Sequence, residues 1–339
     1  MSLDPAHKAD WTSLSDEELL NKKVCDLHLS IPGSELEEPI QQLYHELNSH
    51  QILFRPECYL SDEWFVIEGD TTIGIPFYLA HPQLKKLEEK MMLEVEGGTR
   101  DWCLKLLRHE TGHAIFYAYH LNKKRDVRKL FGPSPKEIPE TYRPKPYSRS
   151  YVRHLDNWYA QAEPDEDFAE TFAVWLTPDS NWKTQYKGWP AFQKLLLIDT
   201  LMKEIADKTP PNLSRTKTGP VSQMRLTLKT YYSRKQKYYA QDYPDFYDQD
   251  LKKIFGGNES KNAFSFMKRY RKTMSDHIAR WTGEKKFIVN NLFKKLTDRC
   301  EKLQLSLNKP EEETLLEVTT YLSSMISNYI YTGKFKPTV

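Results

Sequence analysis

Residues 102–119 read Trp102-Cys103-Leu104-Lys105-Leu106-Leu107-Arg108-His109-Glu110-Thr111-Gly112-His113-Ala114-Ile115-Phe116-Tyr117-Ala118-Tyr119. Apolar residues recur through this stretch and no proline interrupts it, so it predicts a long and largely buried α-helix. His109 and His113 are four residues apart, a little over one helical turn, and therefore lie on one face. Two imidazoles on one face can bind one Zn²⁺ at about 2.0–2.1 Å each. Glu110 lies beside them, where a carboxylate can accept a proton from a zinc-bound water.

The surroundings of this H-E-x-x-H motif decide how much it means, because so short a pattern also arises by chance. Two histidines and a glutamate inside a buried helix are costly unless they pair with one another or bind a metal. A hydrogen-bonded pair in the core is therefore the alternative to zinc, and zinc is the favoured prediction. Zinc bound there would indicate hydrolysis, most often of a peptide bond.

A catalytic zinc needs a third protein ligand and an open position for water. The metzincin pattern places Gly at 116 and His at 119, where this chain has Phe116 and Tyr119, so that class of protease is excluded. His120 lies about 10 Å beyond His113 along the helix, which is too far to share the ion. The search for the third ligand therefore moves downstream of the first helix.

A second predicted helix, Pro164–Leu176, begins at a proline, has acids in its first turn and continues with an apolar stripe. Glu166 and Glu170 are four residues apart on it and share a face. One of them can ligate zinc while the other orients a histidine through its second ring nitrogen. Stabilisation of the helix dipole is the alternative interpretation of the acids at 165–167.

The order of these motifs resembles that of the glutamate zincins, or gluzincins, in which H-E-x-x-H is followed by E-x-F-A-E on a second helix. The wider sequence, over about residues 20–255, resembles a family of bacterial zinc-binding metallopeptidases. The resemblance implies a zincin-like fold, Zn²⁺ as the cofactor, Glu166 as the third ligand and Glu170 as its supporting residue. It implies no particular substrate. The other matching segments are Ile75–Pro82, Leu93–Arg100, Tyr142–Ser148, Trp158–Gln161 and Trp175–Pro178.

Tyr159 and His154 are further candidates for the chemistry. Tyr159 precedes Glu166 by seven residues, and some gluzincins place a tyrosine hydroxyl near the zinc at a similar spacing. Such a hydroxyl would donate to the oxyanion that forms when the carbonyl is attacked. An aromatic residue of the core is the alternative for Tyr159. His154 is a second candidate donor, and a structural or surface histidine is its alternative.

The predicted fold is α+β and mainly helical: a zincin-like catalytic region with a small β-sheet and an active-site helix, followed by a helical C-terminal region. The Thr/Lys/Gly-rich stretch after Pro210-Pro211 is the best boundary between the two. The predicted parts are a flexible N-terminus at 1–20, the metallopeptidase domain at 21–215 and the helical region at 216–339. Further helices are expected at Leu36–His50, 222–241 and 262–331.

Two shorter elements are predicted around the first helix. Trp64–Ile67 and Ile73–Ile75, joined through Glu68-Gly69-Asp70, predict a β-hairpin. By resemblance to zincins, its edge strand would pair with extended substrate backbone. Residues 121–150 contain five prolines and predict a long ordered loop, either near the substrate cleft or on the far side of the domain.

Composition narrows the partners only a little. The net charge is +2, although residues 221–339 carry 22 Lys and Arg against 13 Asp and Glu. A solvated helical surface explains that excess most simply, and no nucleic acid is expected. Four widely spaced cysteines without C-x-x-C favour neither a zinc ribbon nor a disulfide framework, and no apolar run is long enough to cross a membrane. A cytoplasmic protein with a peptide or protein substrate is therefore expected, and the sequence indicates no oligomeric state.

The leading hypothesis is zinc-dependent hydrolysis of peptide bonds, with Glu110 as the general base. The alternative from another class is a zinc-stabilised binding or assembly protein whose hydrolysis is vestigial or self-directed. The intact Glu110 argues against that alternative, because a structural site needs no base and usually has Cys or His as its fourth ligand. A hydrolase of non-peptide amides is a third hypothesis, since the same chemistry permits it.

Overall fold

A computed structural model describes residues 10–134, 144–156, 158–239, 247–256 and 261–332 of the chain. The described residues are mainly helical with one small parallel sheet, which confirms a mainly helical α+β fold. The strands are β1 (Glu57–Ser61) and β2 (Thr72–Pro76). The helices are α1 (Asp16–Leu20), α2 (Glu37–Ser49), α3 (Pro82–Met92), α4 (Arg100–Ala118), α5 (Arg125–Leu130), α6 (Pro164–Leu176), α7 (Trp182–Gln185), α8 (Ala191–Ile205), α9 (Leu228–Tyr239), α10 (Asp248–Ile254), α11 (Ala263–Thr282), α12 (Lys286–Lys302) and α13 (Glu311–Thr332).

The chain divides into two compact units, Met1–Met91 with Val95–Ser233 and Met92–Glu94 with Arg234–Val339. The division falls at 233/234, later than the boundary at 215/216 that the Thr/Lys/Gly-rich stretch predicts. That stretch belongs to the first unit because hydrogen bonds tie it to the sheet. The Tyr59 hydroxyl donates to the carbonyl of Thr218 and accepts from its N–H, both at 3.0 Å. Further on, the N–H of Val24 donates to the carbonyl of Leu226.

The N-terminal prediction of a flexible segment at 1–20 is wrong for residues 10–20, and residues 1–9 lie outside the described part. A short 3-10 helix, Asp10–Ser13, leads into α1, which starts with a capping box between Ser15 and Glu18. Trp11 is buried, and its ring N–H donates to the carbonyl of Leu27 at 3.1 Å. Burial of one large aromatic ring and a double cap therefore order this polar stretch.

The sheet differs from the predicted hairpin. Ile73–Ile75 lies within β2 as expected, but its partner is β1, and the two strands are parallel with Tyr59 opposite Gly74. The Trp64–Ile67 stretch forms no strand and contributes one antiparallel bridge, from Phe65 to Gly74. The Phe65 ring covers Gly74 so closely that a Cβ there would lie 2.9 Å from it. β2 is buried along its whole length, which suits a parallel strand better than the exposed face of a hairpin.

Helices α4 and α6 form the centre of the first unit and lie where the apolar patterns predict them. The side chain of Thr99 caps α4 by accepting from the N–H of Trp102. Pro164 occupies the first turn of α6, where its missing N–H costs nothing. The two helices come into direct backbone contact at Gly112 and Ala169. The backbones meet there because position 112 carries no side chain.

The second unit confirms the helical prediction for the C-terminal region. Helices α10 to α13 enclose a core of buried residues that includes Phe266, Phe293 and Leu322. Helix α10 is additional to the predicted set, and Asp248 is its first residue. Helix α5 is likewise additional, since a continuous loop was predicted for 121–150. Within the described ranges, no helix has the length and apolar character to cross a membrane.

Candidate metal centre

Three side chains predicted as metal ligands converge between α4 and α6. The Nε2 atoms of His109 and His113 are 3.2 Å apart. Oε2 of Glu166 lies 3.0 Å from the Nε2 of His109 and 3.2 Å from that of His113. A tetrahedral zinc with bonds of about 2.0–2.1 Å has ligand atoms separated by about 3.3 Å. The three atoms thus have the kind and spacing of donor that Zn²⁺ requires.

The helices α4 and α6 set the positions of the three side chains His109, His113 and Glu166. The histidines are four apart on α4, so their rings stand one above the other on the face that meets α6. Glu166 lies in the first turn of α6, and the contact between Gly112 and Ala169 sets how near that turn comes. The close approach of two helix backbones is therefore part of the site.

Glu170 supports His109, as predicted for it. One carboxylate oxygen accepts from the Nδ1–H of His109 at 2.9 Å, and the other accepts backbone N–H groups from His154 at 3.3 Å and Leu155 at 2.9 Å. Glu170 is fully buried. A proton held on Nδ1 by Glu170 leaves Nε2 as the nitrogen that could bind a metal, which is the tautomer that a metal ligand needs.

Electrostatics make this site attractive to positive charge. Burial opposes a charge on His109, but hydrogen bonds to Glu166 and Glu170 raise the pKa of its imidazole well above the usual value. Burial would also raise the pKa of Glu166, yet the neighbouring His113 and hydrogen bonds from both imidazoles hold it well below the usual range. Two carboxylates around two imidazoles thus favour a cation over a neutral group.

Glu110 differs from every other acid of the site. It is 6% exposed, and among the described residues it accepts no hydrogen bond and forms no ion pair. Burial raises the pKa of its carboxyl group, and the adjacent His109 and His113 offset only part of that rise. A buried carboxyl group without a hydrogen bond among the described residues is costly, and this one lies beside His109 and His113, where it could accept a proton.

Tyr159 belongs to the site and not to the core. Its hydroxyl donates to Oε1 of Glu166 at 3.2 Å, and its ring centroid lies 5.6 Å from that of His109. A short 3-10 helix, Tyr159–Gln161, carries it, and Trp158 enters that helix with a left-handed φ of 60°. The hydroxyl is thus held at the Glu166 carboxylate.

His154 occupies a different place from the predicted oxyanion donor. Its ring Nε2–H donates to the carbonyl of Lys105 at 2.9 Å, and the residue is 9% exposed. Burial lowers the pKa of the imidazole to about 4, so the ring is neutral at physiological pH. Its contribution to the site is the backbone N–H on Glu170. The sequence carried no signal for that amide or for the amide of Leu155, because any residue supplies one.

Helix α6 directs acids to more than the metal ligands. Asp165 accepts from the Tyr117 hydroxyl at 3.0 Å and from the Ser134 hydroxyl at 2.6 Å. Asp167 pairs with the buried ammonium group of Lys194 at 2.5 Å. The acids at 165–167, for which a role at the helix dipole was the alternative, therefore have specific partners.

A comparison of the chain with family models, with curated proteins and with solved structures finds no match. The resemblance to zinc-binding metallopeptidases therefore stays a prediction from the sequence motifs.

Proposed function

We propose that this chain is a zinc-dependent hydrolase of peptide bonds, of the zincin-like, gluzincin type that its motifs resemble. The observation that carries the proposal is the pairing of a three-donor site with a partnerless acid. His109, His113 and Glu166 present their ligand atoms 3.0–3.2 Å apart. Glu110 follows His109 in the sequence, interacts electrostatically with both histidines and, among the described residues, accepts no hydrogen bond.

Zn²⁺ bound by the triad would lower the pKa of a coordinated water toward about 7 and polarise the scissile carbonyl. Glu110 accepts the proton of the attacking water and then passes it to the leaving nitrogen as the C–N bond breaks. The Tyr159 hydroxyl, which donates to Glu166 in this structure, would turn its hydrogen to the developing oxyanion. Glu170 holds the His109 ring in the orientation and tautomer that ligation needs.

The number of donors supports an enzyme over a zinc-stabilised scaffold. Among the described residues, the cluster contains three ligand side chains, whereas closed structural zinc sites use four. A scaffold also has no use for a buried acid without a partner. Hydrolysis of a non-peptide amide uses the same residues, and the choice of substrate in the experiment below separates it from peptide hydrolysis.

All four cysteines are free thiols, and two of them, Cys103 and Cys300, are buried. Free thiols agree with a reducing compartment, and we include a cytoplasmic location in the proposal on that ground.

The decisive experiment compares three full-length proteins on a peptide library with mass-spectrometric detection of fragments. Wild type should cleave, and Glu110→Gln should bind zinc as wild type does yet cleave at least about 100-fold more slowly, since the proton acceptor is gone. Asp101→Asn is the matched control, because it removes one acid from the exposed side of the same helix and should leave both zinc and cleavage unchanged. Cleavage that survives Glu110→Gln would refute the role of Glu110, and peptides left intact by wild type would refute peptide hydrolysis.

A further inference from the structure

The segment 144–156 has no helix or strand, yet its backbone is fixed at several points. The carbonyl of Ser150 accepts from Lys194 at 2.8 Å, and the N–H of Arg153 donates to the Tyr186 hydroxyl at 3.1 Å. The N–H groups of the next two residues hold Glu170. The backbone of this segment is therefore anchored next to the candidate metal site, and its exposed side chains extend from that anchored backbone.

Arg153 is an exposed side chain of this segment and directly precedes His154. Its guanidinium lies over the ring of Trp158, with the carbon at 4.2 Å from the ring centroid, and 5.9 Å from the centroid of Tyr147. The two rings meet edge to face at 5.0 Å. Within the part of the chain that the structure describes, Arg153 forms no ion pair with an acid. Its charge is thus positioned by aromatic rings, and no carboxylate of the described residues neutralises it.

Both rings are held by unusual backbone. Tyr147 and Trp158 each have a φ of 60°, in the left-handed region that costs a bulky residue about 1 kcal/mol or more. Gln161 fixes the first of these turns, because its side-chain amide accepts from the N–H and donates to the carbonyl of Lys145. Such strain concentrates where a ligand is clamped. Here it places both rings against the guanidinium of Arg153 while Tyr147 stays 78% exposed to solvent.

A guanidinium stacked on aromatic rings keeps its N–H donors in the plane, where they fit the two oxygens of a carboxylate. Trp158 is adjacent in sequence to Tyr159, whose hydroxyl contacts Glu166. A group bound at Arg153 would therefore lie close to the candidate reaction centre. We propose that Arg153 binds a carboxylate of the substrate, so that the enzyme prefers peptides with an acidic side chain or a free C-terminus near the scissile bond.

This proposal rests on the proposed hydrolysis for its meaning, but binding tests it separately. The probe is a fluorescein-labelled dodecapeptide with Glu-Glu at its centre, compared with its Gln-Gln counterpart, each as free acid and as C-terminal amide. Fluorescence anisotropy is measured on zinc-loaded, full-length Glu110→Gln protein, which retains the candidate site without the base. Adding Arg153→Gln to this protein should lower its affinity for the Glu-Glu peptide by about tenfold or more and should change its affinity for the Gln-Gln amide little.

Arg149→Gln is the matched control. Arg149 lies four residues earlier in the same segment and stacks in the same way, 5.6 Å from the centroid of Trp189. The Arg149→Gln substitution removes one positive charge from the same segment. Equal losses of peptide affinity in Arg149→Gln and Arg153→Gln would show that only net charge matters and would overturn the proposal. Arg153→Lys keeps the charge without the planar fork and should recover only part of the affinity.

The peptides also identify the source of the carboxylate. If Arg153→Gln lowers the affinity only for the two Glu-Glu peptides, Arg153 binds an acidic side chain. If it lowers the affinity only for the two free acids, Arg153 binds a C-terminus. Equal binding of all four peptides to the parent protein, or no binding, overturns the proposal. If wild type cleaves peptides without preferring a carboxylate, the proposed hydrolysis holds and the proposed role of Arg153 is refuted. If peptides bind according to their charge but are not cleaved, the role of Arg153 holds and the proposed hydrolysis is refuted.

Discussion

Replacing Gly112 by alanine tests whether the spacing of two helices sets the metal site. Gly112 lies between His109 and His113 on α4, where it packs directly against the backbone of Ala169 on α6. A Cβ there would lie 2.7 Å from Cα of Ala169 and 3.0 Å from its carbonyl oxygen. Both are backbone atoms, so no side-chain rotation relieves the contact, and the helices themselves have to separate.

The required movement is large relative to the site. Ordinary contact begins near 3.4 Å, so the backbones must part by at least about 0.7 Å. Added to the 3.2 Å between His113 and Glu166, this gives about 3.9 Å, against about 3.3 Å for donors around one zinc with bonds of about 2.0–2.1 Å. We expect zinc affinity to fall by about 10- to 100-fold. Overpacking should cost about 1–3 kcal/mol, more than the helix propensity of alanine returns, about 1 kcal/mol.

Competition with a chromogenic zinc chelator measures the affinity, and urea unfolding of the metal-free protein measures the stability. Ala169→Gly is the control, because it loosens the same contact from the other helix and should keep zinc while losing some stability. Wild-type zinc affinity in Gly112→Ala would show that the helices tolerate the separation and would refute the argument.

Three further predictions concern single side chains around the site. Glu46→Ala should lower the free energy of unfolding by about 3–5 kcal/mol, because it leaves Arg108 buried without its bidentate partner at 2.7 and 2.8 Å; a loss under about 1 kcal/mol in urea would equate the pair with a surface salt bridge. Burial lowers the pKa of His154 to about 4 from 6.5, so its contribution is complete above pH 6.5 and falls by up to about 3 kcal/mol as the pH drops to 4. His154→Gln should flatten that part of the stability profile, and an unaltered slope would contradict the assignment. Tyr159→Phe should slow peptide cleavage by about 100-fold with zinc content unchanged, and an unchanged rate would leave the hydroxyl no part in the reaction.

The parts of the site that sequence predicted are those governed by helical periodicity. Four-residue spacings placed His109 with His113 and Glu166 with Glu170 on common faces, and these faces do meet in the fold. Proline and the acids that follow it marked where α6 begins. One-turn relations of this kind depend on local backbone geometry alone, which is why they survive without knowledge of the tertiary structure.

Sequence failed where a long-range contact or a backbone atom decides the outcome. The turn chemistry around Gly69 favoured a hairpin, but β2 pairs in parallel with the more distant β1, since burial on both faces outweighs the local turn. The backbone N–H of Leu155 donates to Glu170, and almost any residue at position 155 could supply that N–H, so the amino-acid sequence does not indicate the contact. The stacking of Arg153 on Trp158 depends on left-handed backbone at Tyr147 and Trp158. Neither residue is a glycine, so the sequence does not predict that conformation.

The four acids of α6 have a consequence for how this unit opens. Asp165, Glu166 and Glu170 each bond a side chain of α4, and Asp167 bonds Lys194 of α8, so a sliding movement of α6 would break several contacts at once. Local fluctuations near the site should therefore be suppressed in favour of one cooperative event. Amide protons of α4, α6 and residues 150–155 would then exchange with solvent as one group, and zinc would slow exchange even in backbone far from any ligand atom.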